Sequence, residues 1–341
     1  MIRAAIVGLG RWGRSLVNAV TGKGGNDSND LRFVTGTTRT RASAEDFCRS
    51  KQIKLVDSYD DILRDPDIDA VVLATPHSQH QAQALAAIAA RKHVFVEKPL
   101  TLDLASARAV ADAARKSGLI LAVGFTRRFH PSIGELRARI LDGRLGNVVA
   151  LVAQHTTSTA QFVAPDNWRA APEEAPAGAF TAVGVHALDH MIEFAGRVRD
   201  VRCVTARNYP GPSDDTTTIM LRFATGATGL LFCSVATATN FAFAAYGTKG
   251  LAEITRADLS HFRFTPASTT APTGLVTAPP DEILEFSGAD MLRAQMTAFA
   301  RAIREGNSYP VPIADVLDGM AVFEAIVESA KRGGDAIAVA A

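Results

Sequence analysis

Cysteine is scarce and unpaired in this 341-residue chain: Cys48, Cys203 and Cys233 are odd in number and form no Cys-x-x-Cys. A disulfide framework is excluded, and the usage suits a reducing compartment, so a cytoplasmic protein is expected. An excess of one charge is also lacking, since 36 Lys and Arg meet 35 Asp and Glu for a formal net charge of +1. With those charges dispersed, there is no basic stripe to hold nucleic acid and no acidic tail. The apolar opening, Ala4 to Val7, is too short for the core of a secretory leader. Phe223 to Thr248 is uncharged over a membrane-spanning length, but Gly226, Gly229 and many Thr and Ser interrupt it. Consecutive sheet strands account for it better than a membrane span. No internal repeat is evident.

What is present starts at the first residues. Ile2 to Val7 is a short β-branched run that ends in Gly8-Leu9-Gly10-Arg11-Trp12-Gly13, after which Ser15 to Val20 continues as a helix. This is Gly-x-Gly-x-x-Gly between a strand and a helix, the setting in which it binds a dinucleotide. The first glycine permits the tight turn and the second lets backbone N–H groups approach a pyrophosphate. The third lets helix pack on strand, and the helix N-terminus adds partial positive charge. Taken alone, the motif is weak evidence and leaves a Gly-rich turn with no ligand as the lesser alternative.

The following segments reduce that alternative. Strand-like runs at 31–37, 53–56, 70–74, 93–96 and 119–123 bring the total to six, the number in a complete dinucleotide fold. Ala-rich amphipathic stretches, 78–91 and 102–116, lie between the later ones, the second closed by Gly118. In a doubly wound sheet the ligand lies outside the carboxyl ends of the strands where the order reverses, between the first and fourth. Gly8 would there face Ala74-Thr75-Pro76, and Glu97-Lys98-Pro99 would emerge beside them on the nicotinamide side. At the end of the second strand, an acidic residue favours NAD and an arginine accommodates the 2′-phosphate of NADP. Thr38-Arg39 stands there, so NADP is preferred over NAD. Asp27 and Asp30 precede the strand and belong at its far end, in a polar loop with Gly22, Gly24 and Gly25.

From Asn147 the pattern changes to alternating strands: 148–155, 198–206, 216–223, 228–235, 241–247, 251–255 and 261–264. A loop at 265–280 and helices at 288–305 and 313–332 follow. The fold class is therefore an α/β Rossmann dinucleotide-binding domain, residues 1–125, plus an α+β domain, 126–341, with an open, largely antiparallel sheet. The second domain serves substrate binding and oligomerisation, and its C-terminal helix can pack back on the first. Between its first two strands, His186, Asp189 and His190 share one helix face at i, i+3 and i+4. Three readings stay open: a catalytic face with His186 exchanging a proton, a metal site, and a structural His–Asp pair. No metal is assigned.

The ordered set of motifs resembles the Gfo/Idh/MocA oxidoreductases, named for glucose–fructose oxidoreductase and inositol dehydrogenase. The resemblance runs through AIVGLGRWG at 5–13, YDDIL at 59–63, ATPHSQH at 74–80, VEKPL at 96–100 and GFTRRFHP at 124–131. It continues through WR at 168–169, GVHALD at 184–189 and YGTKG at 246–250. It implies that Lys98 assists proton transfer beside the nicotinamide, while Thr75, His80 and Glu97 help hold the cofactor. It also implies that Arg127 and Arg169 look into the substrate cleft. Trp168 either joins them or is core bulk. The open sheet is expected to mediate a homodimer or homotetramer. Many members carry Asp four residues before the histidine, where this chain has Ala182, and Gly178-Ala179 replaces the usual Gly-Gly. Asp189 is the candidate substitute for orienting His186. The expected function is hydride transfer between nicotinamide and a small polar substrate, with neither nucleic acid nor membrane as partner. The alternatives are a dinucleotide-sensing regulator and, third, a metal-dependent hydrolase.

Overall fold

The computed structural model describes residues 1–21, 29–164, 167–270, 274, 276–277 and 279–340. Asp27 and the glycines at 22, 24 and 25 lie outside the described residues, as does part of the 265–280 segment. The chain forms two compact units, Met1–Phe129 with Asp290–Met320, and His130–Ala289 with Ala321–Ala341.

The first unit is built on β1 (Ile2–Val7), β2 (Leu31–Thr37), β3 (Lys54–Leu55), β4 (Ala70–Leu73), β5 (His93–Val96) and β6 (Leu121–Val123). All pair in parallel, in the order β3-β2-β1-β4-β5-β6. Strand β4 is buried along its whole length, as a parallel strand covered on both faces must be, and this is why its sequence is continuously apolar. The connecting helices are α1 (Arg11–Thr21), α2 (Glu45–Ser50), α3 (Tyr59–Arg64), α4 (His80–Ala89) and α5 (Leu104–Ser117). Side-chain caps set several helix starts, which sequence periodicity places a few residues early. Asp103 accepts from Ser106 N at 2.7 Å, so α5 begins at Leu104, and it ends at Gly118 with φ +67°. The Met291–Glu305 helix returns to this unit and packs on α1, β1 and β2, with Phe299 edge-on to Phe95 at 5.7 Å. It starts at Met291 because Asp290 caps it, accepting from Arg293 N at 3.0 Å.

The second unit opens with α6 (Pro131–Leu141), not foreseen in the sequence, followed by β7 (Val148–Thr156) and α7 (Val185–Ala195). Next come β8 (Val198–Ala206), β9 (Thr216–Phe223), β10 (Thr228–Ser234), β11 (Asn240–Gly247), β12 (Gly250–Thr255) and β13 (His261–Pro266). Short strands β14 (Thr269–Thr270) and β15 (Val276–Thr277) pair with each other, and β16 (Glu282–Glu285) precedes α8, the Met291–Glu305 helix. Helix α9 (Ile313–Lys331) and β17 (Ile337–Ala338) complete the chain. Among the described residues the large sheet runs β16-β13-β12-β11-β7-β10-β9-β8-β17, and only β7 with β10 is parallel. The uncharged 223–248 stretch is thus β10 and β11, as its interruptions predict.

One face of this sheet is core, with Ile219, Leu231, Cys233, Phe241, Ala252 and Phe262 having no accessible surface. The opposite face carries a transverse row in direct register: Arg202, Met220, Leu230, Val152, Ala244, Glu253, Arg263 and Ile283. Met220 and Leu230 on it are 60% and 43% exposed, so its middle is apolar and its flanks charged. Under the sheet's edge, Arg139 of α6 is buried between the rings of Phe262 and Phe264, at 5.1 and 4.5 Å. It pairs with Glu135 and Glu282 at 2.8 and 2.9 Å. The three cysteines are free and buried. Burial pushes Cys203 up to about 12 and Cys233 further; it also raises Cys48, against the pull of Arg14 and Arg41. All three are therefore thiols without nucleophilic character at neutral pH.

Candidate active site

The glycine turn leaves β1 where its parallel neighbours also end. Gly8 has φ +94°, and a Cβ there would lie 2.6 Å from the Ala74 carbonyl oxygen. The Ala74-Thr75-Pro76 loop therefore presses directly on it. A Cβ on Gly13 would stand 1.9 Å from the carbonyl oxygen of Gly8, so the third glycine lets α1 dock on its own turn. A Cβ on Gly10 would meet nothing within 4 Å. That open space, at the N-terminus of an 11-residue helix, fits a dinucleotide pyrophosphate. The intervening residues divide their roles: Leu9 is buried, Arg11 is exposed, and the buried Nε1 of Trp12 has no hydrogen-bond partner among the described residues.

Thr38 and Arg39 follow β2 at the same end of the sheet. Arg39 is exposed and makes no hydrogen bond or ion pair among the described residues, whereas its neighbours are engaged. Arg41 pairs with Glu45 at 3.6 Å and Asp57 at 2.5 Å, while Arg14 donates to the carbonyls of Leu9 and Ser43 and lies over the Phe47 ring. Asp30 lies at the other end of β2: its carbonyl accepts from Ile2 N at 2.8 Å, and its carboxylate pairs with Arg304 at 2.9 Å.

Past β4 and β5, polar groups connect the loops. Thr75 Oγ1 donates to Gln83 Oε1 at 2.6 Å, and Gln83 donates to Gln79 at 3.0 Å. His80 has no exposed surface and bridges the carbonyls of Pro99 and Thr75 at 3.0 and 3.1 Å. It thus lies beneath the loops that would line a cofactor. The buried Glu97 carboxylate lies against Gly124, where a Cβ would come within 2.9–3.0 Å of it. Lys98 is half-buried. In the 3-10 turn Thr126–Phe129, Arg128 is tied to Asp315 at 2.9 Å. Arg127 is half-buried with its Nη1 enclosed, and burial lowers the guanidinium to about 10, still charged at neutral pH.

In the second unit, a π-helical turn, Phe180–Gly184, leads into α7. Gly184 is needed there because a Cβ would stand 2.7 Å from the Cys233 sulfur on β10. His186 is half-buried, Asp189 buried, and Ala182 exposed on the turn. His190 belongs to the core: it stacks on Phe194 at 6.2 Å and meets Phe243 edge-on, with Glu193 at 3.5 Å. Among the described residues no cluster of His, Cys, Asp or Glu could hold a metal. Sequence reasoning missed His155, whose Nδ1 donates to the Val183 carbonyl at 2.9 Å and whose ring lies 6.2 Å from that of His186. Its signal was faint, since a histidine ending a strand has no distinguishing spacing. Trp168 is half-buried rather than core, and the exposed Arg169 guanidinium lies 4.2 Å from its ring centroid.

A 3-2-1-4-5-6 parallel sheet and a glycine turn with open space above its second glycine define a dinucleotide-binding unit, and a second unit with a large open sheet accompanies it. Family comparison agrees: residues 2–125 match the model described as oxidoreductase family, NAD-binding Rossmann fold, and residues 133–253 match the GFO/IDH/MocA C-terminal domain. The chain belongs to the Gfo/Idh/MocA oxidoreductase family. It is 29% identical over 228 residues to trans-1,2-dihydrobenzene-1,2-diol dehydrogenase of Oryctolagus cuniculus, covering 66% of this chain and 68% of that protein. To scyllo-inositol 2-dehydrogenase (NAD(+)) of Bacillus subtilis it is 35% identical over 154 residues, 43% of this chain and 42% of that one. Levoglucosan dehydrogenase in complex with NADH and levoglucosan shares the fold, with a TM-score of 0.87 at 22% identity over 99% of both chains. Among the described residues no helix is long and apolar enough to cross a membrane.

Proposed function

We propose that this oxidoreductase is an NADP-preferring dehydrogenase or reductase acting on a hydroxyl- or carbonyl-bearing carbon of a small polar substrate, such as a sugar, cyclic polyol or related hydroxy acid. The observation that carries the reading is the open space above Gly10 in the same unit as Lys98, which leaves the end of β5 two strands from the turn. Gly8 to Gly13 with Ala74, Thr75 and Pro76 would hold the dinucleotide, which when bound supplies the hydride acceptor or donor at its nicotinamide ring. Arg39, beside Thr38 and unengaged among the described residues, supports NADP over NAD, because a guanidinium pairs with a 2′-phosphate that NAD lacks. Lys98 polarises the substrate oxygen and exchanges its proton, with His186 as the second proton-transfer group and Asp189 as its support. Arg127 and Arg169, with Trp168, bind substrate oxygens or a carboxylate. The relatives' names, dehydrogenases of a dihydrodiol and an inositol, fit this substrate class.

Self-association as a homodimer or homotetramer through the outer face of the large sheet completes the proposal, supported by the exposed Met220 and Leu230 in the transverse row. Buried thiols fit a cytoplasmic location. Ala182 supports a second reading, a dinucleotide-binding regulator with weak catalysis, since no carboxylate stands one turn before His186.

Fluorescence titration with NADPH and NADH, followed by mixing with aldoses, cyclic polyols, keto acids and dihydrodiols, tests the proposal. NADPH is expected to bind more tightly and to be consumed by one substrate class, with Lys98→Ala slowing turnover at least about 100-fold. Binding without turnover on any panel member would favour the regulator, and failure to bind either dinucleotide would refute both readings.

A further inference from the structure

The β4–β5 ladder closes where Glu97 N donates to the Leu73 carbonyl at 3.0 Å. Beyond that bond the two strands release the segments that carry the chemistry, Ala74 to Pro76 on one side and Lys98 to Pro99 on the other. His80 spans them. It begins α4, has no accessible surface, and places Nδ1 3.0 Å from the Pro99 carbonyl and Nε2 3.1 Å from the Thr75 carbonyl. A carbonyl oxygen only accepts, so a ring nitrogen bonded to it must carry the proton. Each neutral tautomer serves one of the two carbonyls, and the imidazolium serves both. A planar ring whose two nitrogens flank Cε1 and point in diverging directions is a rigid spacer between the two carbonyls, and the start of α4 anchors it.

We propose that His80 is a positioning residue for Lys98. By tying the residue after Lys98 to the Thr75 loop, it fixes the point from which the lysine side chain extends relative to the dinucleotide loop. This rests on the role given to Lys98 under the proposed function. The inference differs from a cofactor contact, because His80 is enclosed and reaches the chemistry through the backbone of Pro99.

A double-mutant cycle on the full chain tests it, with NADPH affinity, kcat and KM measured for His80→Ala, Lys98→Ala and the pair. His80→Ala is expected to lower kcat about 100-fold, the cost of a catalytic group misplaced by about an ångström, with NADPH affinity changed only a few-fold. In the Lys98→Ala background, the same substitution is expected to cost less than about threefold, because its effect passes through the lysine. His80→Gln, which keeps a donor, recovers part of kcat. Equal losses of kcat in both backgrounds, or a loss confined to NADPH affinity, would overturn the inference. Were Lys98→Ala as active as the wild type, the reading of Lys98 itself would fail. A slow Lys98→Ala beside a fully active His80→Ala would remove only the spacer. If His80→Ala does not fold, His80→Gln and His80→Asn carry the same cycle.

Discussion

The three glycines of the first turn face three different surroundings, so the same alanine substitution has opposite consequences along six residues. At Gly10 a methyl group meets nothing within 4 Å, and the backbone is outside the left-handed region. Gly10→Ala should leave folding intact or stabilise it by about 0.4–1 kcal/mol by restricting the unfolded chain. The new methyl occupies the space where a pyrophosphate would approach the backbone. Losing one charge-assisted hydrogen bond there, about 1.5–3 kcal/mol, weakens dinucleotide binding by about 10- to 150-fold. At Gly13 the methyl would stand 1.9 Å from the Gly8 carbonyl oxygen, inside any permitted contact, so α1 must separate from β1. Gly13→Ala should destabilise by about 1–3 kcal/mol or more, apart from any effect on ligand. Thermal melting without cofactor and fluorescence titration with NADPH separate the two. A Gly10→Ala protein that binds NADPH like the wild type would refute the placement of the pyrophosphate, and a Gly13→Ala protein of unchanged Tm would refute the packing argument.

Arg39→Ala should weaken NADPH about 10- to 100-fold and leave NADH within about twofold, measured by titration, since only the former carries the 2′-phosphate. In the second unit, Asp215 accepts from Thr216 Oγ1 at 2.7 Å and from the backbone N–H groups of Asn208 and Tyr209 at 2.7 and 2.6 Å. Desolvation raises its carboxyl pKa, but these bonds outweigh it and hold the group below the usual carboxylate range. A depressed folded pKa contributes stability that is present above the unfolded value, about 3.9, and is lost as pH falls through the folded one. Asp215→Asn should therefore cost about 1–3 kcal/mol at pH 7, and that difference should shrink in denaturation curves below about pH 4. Arg139→Met removes a partner from Glu135, which keeps Arg144 at 3.8 Å, and from Glu282, but both side chains reach solvent, at 24% and 50% exposure. The loss should be about 2–3 kcal/mol, mostly from the contacts with Phe262 and Phe264, and urea denaturation reads it directly.

Much of the fold was legible because its signals are local. Strands β1, β2 and β5 follow from runs of β-branched and aromatic residues, and β8 and β9 from alternation with a period of two, which one-sided burial imposes. Helix starts were less legible: Asp103 and Asp290 cap at single positions that periodicity does not weigh. Helix α6 went unforeseen because its buried face includes Ser132 and Arg139 beside Ile133 and Leu136, which blurs the apolar stripe. The return of residues 290–320 to the first unit depends on Phe299 meeting Phe95, a contact between residues with no sequence relation.

The candidate site divides along the same line. Residue type and spacing alone determined the glycine turn, the Thr38-Arg39 pair, the Glu97-Lys98-Pro99 segment and the helix of His186, because each chemistry needs its residues adjacent or one helical turn apart. Tertiary structure decided which of these residues are engaged. It left Arg39 without a partner among the described residues while Arg41 was paired, placed His190 among phenylalanines, and brought His155 beside His186. It also placed His80 between two carbonyls 19 and 5 residues away. Hydrogen-bond partners and burial depend on segments distant in the chain, and no local pattern encodes the distance between them.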